Sequence, residues 1–219
     1  MEDSVNNLAR VFQAAADALS RQREVLNQAD LANANHGDHM LEIFQVAVQA
    51  VHSLPLSSLP DALEQASRLL VQLSDNASAQ VYGRGLEQFG AALRRHQVEF
   101  VDLAAYVQHI LKEPSAGGAS AGQAASEDRG AVVLKALVSG LAAWGQVENG
   151  QIPSEKGVDV GYLFDLGIIY MQAKSRGGSR LDVLSDAAAA ASPLSRVPHR
   201  LQSSKIAFRA LLQAFSANL

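Results

Sequence analysis

One period dominates this chain. Val5, Leu8, Phe12, Ala15, Leu19 and Leu26 recur at steps of three and four, or seven across Gln22, the one polar residue on that stripe. Such spacing puts apolar side chains on one face of a helix, and Ser4 is placed to cap its start. Met40, Ile43, Phe44, Ala47 and Val51 repeat the pattern after His36-Gly37-Asp38. No stretch alternates convincingly with a period of two, so the spacing predicts an all-α chain rather than a sheet.

The punctuation divides it into eight or nine helices. Ser53 to Ser58, with Pro55, reads as a turn, and Pro60-Asp61 as the first turn of a third helix carrying Leu63, Ala66, Leu69, Leu70 and Leu73. Asp75-Asn76-Ala77-Ser78 caps a fourth, running to about Arg95, and a fifth covers Val98 to Lys112. A mobile loop is expected over 113–126, rich in Gly, Ala and Ser. A sixth helix is expected from Asp128 to Trp144 and a seventh from Val160 to Lys174. Arg176-Gly177-Gly178 breaks the chain before a short helix from Ser179 through the alanine run 187–191, and a basic last helix spans Leu201 to Ala217. With 219 residues and 48% apolar composition this is a single domain able to bury a core unaided.

Composition excludes several functions. With no cysteine there is no zinc finger, iron–sulfur site, thiol catalysis or disulfide framework, which fits a reducing cytoplasm. A net charge of −4 gives no global pull toward nucleic acid. The longest apolar stretch, Ala131 to Trp144, carries Lys135 and falls short of the ~20 residues a membrane span needs. The first residues, Met-Glu-Asp-Ser, do not read as a signal segment.

Generic catalytic motifs are sparse. Neither the phosphate-binding loop ending in Lys-Ser/Thr nor a dinucleotide glycine fingerprint occurs. Gly118-Ala119-Ser120-Ala121-Gly122 matches a nucleophile elbow literally but lacks the strand before the serine that the elbow requires, so chance composition is the better reading. His36-Gly37-Asp38-His39 has no third spaced ligand for zinc and reads as a polar loop closing into a helix. His52, His96, His109 and His199 stand isolated, and Tyr82 and Trp144 sit at core spacing. After Asp186 the only charged side chains are Arg196, Arg200, Lys205 and Arg209, either a solvated helix face or a docking surface for an acidic or phosphate-bearing partner.

Two loop-to-helix junctions have an unusual make-up. One is Leu26-Asn27 followed by Asp30 and Asn33-Ala34-Asn35-His36-Gly37-Asp38-His39-Met40. The other is Asp75-Asn76-Ala77-Ser78-Ala79-Gln80-Val81-Tyr82-Gly83. Small and polar residues at a helix start leave backbone N–H groups facing an anion, and two such starts at one end of a bundle would make a phosphate cradle. Two ordinary capped turns would look the same. Taken with Asp128-Arg129 and the segment Met171-Gln172-Ala173-Lys174-Ser175-Arg176-Gly177-Gly178-Ser179, in this order and register, the chain resembles the nucleotide-binding L domain of dihydroxyacetone kinases over nearly its whole length.

The resemblance implies an eight-helix antiparallel barrel that binds ATP or ADP for phosphotransfer, with a separate substrate-binding kinase subunit as partner. It implies Asp30, Asn33 and Asn35 at the magnesium site. His36, Gly37, His39, Asn76 and Ser78 would cradle phosphates, with Met171 and Arg176 near the nucleotide. The family's metal motif is Asp-Gly-Asp; here it is Asn33-Ala34-Asn35, with Asp30 retained and Asp38 at a variable position. Magnesium favours carboxylate oxygens, and phosphoryl transfer draws on its charge, so two lost carboxylates weaken both. His39 replaces an asparagine, Ala79 a glycine and Gly130 a threonine, and Ser192-Pro193-Leu194 stands where the family has Asp-Pro-Gly. The expectation is therefore a degenerate phosphotransfer domain or, in a different class, an inactive scaffold or regulatory subunit that keeps the barrel.

Overall fold

The structure is a computed structural model that describes residues 2–53, 58–112, 177–191 and 196–217. Among these residues there are eight helices and no strand: α1 (Glu2–Ser20), α2 (Arg23–Ala29), α3 (His36–His52), α4 (Leu59–Leu70), α5 (Ala77–His96), α6 (Phe100–Lys112), α7 (Arg180–Ala191) and α8 (Pro198–Ala217). The all-α expectation holds. The expected helices at Asp128–Trp144 and Val160–Lys174, and the expected loop at 113–126, lie outside the described residues.

The apolar stripes become one core. Val5, Leu8, Phe12, Ala15 and Leu19 of α1 meet Met40, Ile43, Phe44, Ala47 and Val51 of α3, with Leu59, Leu63, Ala66 and Leu70 of α4 beyond them. α1 packs between α3 and α8, α3 continues to α4 and α4 to α5, while α8 also touches α6 and α7. α4 and α5 form a tight antiparallel pair. Ser58 caps α4, its Oγ accepting from the Asp61 amide and donating to the Asp61 carboxylate at 2.6 Å. Arg94 near the end of α5 reaches back to Asp61 and Glu64 at the start of α4.

Three boundaries differ from the sequence reading. α1 already runs from Glu2, so Ser4 lies inside it. The expected first helix stops at Ser20 and resumes as α2 because Gln22 interrupts the buried stripe; its amide makes a tighter bond to Leu19 O at 3.0 Å. The last helix starts earlier, at Pro198, since proline suits a first turn where no N–H is needed.

The break at Gln22 has a consequence for the rest of the molecule. It turns α2 so that Leu26 is fully buried and Asn27 faces the start of α3. α2 and α3 then approach so closely that a Cβ at Gly37 would overlap the Arg23 carbonyl oxygen and sit 2.9 Å from Asn27 Oδ1. Backbone cannot step aside as a side chain can. Gly37→Ala should therefore lower stability by about 1–3 kcal/mol, the usual range for overpacking, although alanine is the better helix former. Urea denaturation with an unchanged midpoint would contradict the close approach.

Candidate functional site

The two junctions meet. Asn76, at the start of α5, donates through Nδ2 to the His39 carbonyl at 2.9 Å and to Glu42 Oε2 at 3.0 Å, both on α3. Its Oδ1 accepts from the Ala79 amide at 3.0 Å, so one buried carboxamide caps α5 and ties it to α3. Between them lies an open groove of about 540 Å³, whose lining includes Asp38, His39, Glu42, Gln45, Asp75 and Asn76.

The start of α3 is capped from outside. Asn27 Oδ1 accepts from the amides of Gly37 at 2.7 Å and Asp38 at 3.2 Å, while Asn27 Nδ2 donates to Asp38 Oδ2 at 2.7 Å. His39 N bonds to Asn35 O at 3.0 Å. Several amides that a phosphate cradle would use are thus already accepted within the protein. Ser78 is buried at the start of α5, next to the fully buried Ala79.

The loop between α2 and α3 is organised by Asp30. Asp30 is 7% exposed and its Oδ1 accepts from the Ala32 amide at 3.2 Å. Burial pushes its carboxyl up, but the amides of Ala32, Asn33 and Asn35, with the nearby His199 ring, more than offset this and hold it below the usual carboxylate range. Asn33 is exposed and Asn35 half-buried. Ala34 has φ 54°, a left-handed conformation that glycine adopts without cost. No group of three or more His, Cys, Asp or Glu side chains suited to a metal ion occurs among the described residues.

α8 contributes side chains that the sequence reading left out of the site. Its buried neighbours Ser203 and Ser204 bond to one junction each. Ser203 Oγ lies 2.8 Å from His36 Nε2, and Ser204 Oγ lies 3.4 Å from the Tyr82 hydroxyl. Ser203 donates to Arg200 O at 2.9 Å, so it accepts from His36, which is then the neutral tautomer with its proton on Nε2. His199 is not isolated: its ring meets His36 edge-on at 4.7 Å, and its Nε2 is 4.0 Å from Asp30 Oδ1. Burial, reinforced by the charges of His199 and Arg200, pushes His36 down to about 4. Burial also raises Tyr82 to about 12, against the opposing bond from Ser204.

The basic tail divides. Lys205 pairs with Asp186 at 3.1 Å and Arg209 with Asp182 at 2.6 Å, both on α7. These two cations belong to an α7–α8 contact rather than to a bare docking face. Met171 and Arg176, expected near a nucleotide, lie outside the described residues. The local sequence around Pro198-His199-Arg200 carries no motif, and only the packing of α8 on α3 brings these side chains to Asp30 and His36. No family model, no curated protein and no solved structure matches the chain.

Two outcomes follow from this geometry. Ala34→Gly should raise stability by about 0.5–1 kcal/mol, the strain of an alanine in the left-handed region less the added freedom of an unfolded glycine; a lower melting midpoint would mean that the loop is not held there. His36 has a folded pKa below its unfolded value of about 6.5. Above that pH both states are neutral; as the pH falls toward 4, the unfolded chain takes up the proton and the folded one does not. Stability is lost across that window, by roughly 3 kcal/mol at most. His36→Gln keeps an N–H donor for Ser203 and removes the titration, so its urea stability should fall less between pH 6.5 and 4 than the parent's. Parallel pH profiles would place a charged histidine there.

Proposed function

We propose that this chain is a nucleotide-binding domain of the dihydroxyacetone kinase L type whose metal-dependent phosphotransfer has degenerated, and that it works beside a separate substrate-binding protein. The reading is carried by the meeting of the two junctions that bear the resemblance: Asn76 and His39, 37 residues apart in the sequence, are joined by a hydrogen bond at one end of the bundle. The left-handed backbone of Ala34 adds to it, because the residue in that place in the family is the glycine between two aspartates. ATP or ADP is the ligand of this reading and magnesium its metal. Asp30 is the one retained carboxylate, flanked by the two asparagines.

The scaffold reading also has an observation in its favour. The amides of Gly37, Asp38 and Ala79 already have acceptors in Asn27 and Asn76, so the two helix starts are complete as capped turns without any ligand. A titration of ATP and ADP with and without magnesium separates the two: a scaffold binds neither.

Restoring the carboxylates sharpens the test. Asn33→Asp with Asn35→Asp places two charges beside Asp30, and magnesium-dependent ADP affinity should rise by about tenfold or more, as expected when a hard cation regains carboxylate ligands. Calorimetry showing no gain in the folded double variant would remove the metal site from this loop and the L-type reading with it.

A further inference from the structure

α8 carries three cations, Arg200, Lys205 and Arg209, and the latter two are satisfied by carboxylates of α7. Arg200, in its first turn, is different. Its Nε is buried and has no hydrogen-bond partner, and its guanidinium has no carboxylate among the described residues. A buried donor without an acceptor costs about 1–3 kcal/mol, so an acceptor brought to Arg200 would be stabilised there.

The surroundings are basic. Arg200 and His199 both act on the His36 ring, which is packed edge-on to His199. Asp30 is the carboxylate beside them, and its charge is taken up by the amides of its own loop. On the other side of the α3 start, the groove toward α5 is lined by Asp38, Glu42 and Asp75 and repels a bare anion. An oxyanion therefore finds its favourable side at α8.

We propose that Arg200, assisted by His199, is a metal-independent phosphate subsite in which protein cations take the part played in related chemistry by bound metal ions. A guanidinium fork suits this role because it gives two parallel N–H bonds to one phosphate group. The proposal requires only a phosphate group and deepens the nucleotide reading without depending on it.

The test uses the full chain in EDTA, with inorganic pyrophosphate and ATP as separate probes. The parent should bind pyrophosphate and show a raised melting midpoint. Arg200→Gln should lose about ten- to a hundredfold in affinity, the worth of a charge-assisted hydrogen bond, and Arg200→Lys should fall between the two. Arg209→Gln, which removes an ion-paired cation from the same helix, should bind like the parent. Circular dichroism melts establish that each variant is folded. If Arg200→Gln does not fold, a parent whose midpoint ignores pyrophosphate still overturns the proposal, as does equal affinity in a folded Arg200→Gln. ATP binding that appears only with magnesium and ignores Arg200 would defeat this subsite while leaving the nucleotide reading intact. Pyrophosphate binding through Arg200 with ATP no tighter would do the reverse.

Discussion

The side chain of Asn27 is the hinge of this structure. Its carboxamide oxygen takes the amides of Gly37 and Asp38, and its amide nitrogen holds the Asp38 carboxylate. A helix start leaves amides unpaired, and at α3 the partly buried Gly37 amide is one of them. Supplying the cap from α2 solves this and fixes the direction in which α3 leaves the loop. The close approach demands glycine at position 37. It also folds the six residues between the two helices into a loop that Asp30 closes with its own carboxylate. An N-terminal cap is worth about 1 kcal/mol. Here two amides and a carboxylate share one partner, so the junction is stiff enough to position His36 under α8.

α8 depends on that position in turn. Ser203 and Ser204 are consecutive, fully buried, and bonded to His36 on α3 and Tyr82 on α5. Neighbouring residues on a helix point about 100° apart, so one turn of α8 touches both junctions at once. The starts of α3, α5 and α8 consequently lie at the same end of the bundle, and a ligand at that end would meet three positive helix dipole ends. The charged side chains are not shared evenly among them. Carboxylates face the groove between α3 and α5, whereas His199 and Arg200 stand on the α8 side.

Much of the architecture was legible because period and burial are local properties. The residues spaced at three and four in α1 and α3 became the core without exception, whereas the break between α1 and α2 at Gln22 was not legible, because the apolar stripe resumes in step at Leu26. Pro60, Asn76 and the pair Gly177-Gly178 marked helix boundaries by turn chemistry alone. The contribution of α8 to the site was not legible. Nothing in Pro198-His199-Arg200 distinguishes it from a solvated helix start, and the bond from Ser203 to His36 spans 167 residues. Lys205 and Arg209 show the same limit from the other side, since their carboxylate partners on α7 separate them from Arg200 only once the two helices are packed.

The Asp30 loop and the cations of α8 make electrostatic sense as one arrangement. Were positions 33 and 35 aspartates, the loop would present three carboxylates close together, and each would need a metal ion or a pKa shift to sit beside the others. With asparagines there, Asp30 alone remains, and loop amides and His199 suffice to keep it ionised. A neutral His36 can then be buried at the start of α3, and an arginine can approach it without a carboxylate partner of its own. Adding back two negative charges would draw Arg200 and His199 toward the loop as counter-ions. The asparagines at 33 and 35 thus leave Asp30 as the one carboxylate of this loop, held by the loop amides and His199, and none for Arg200.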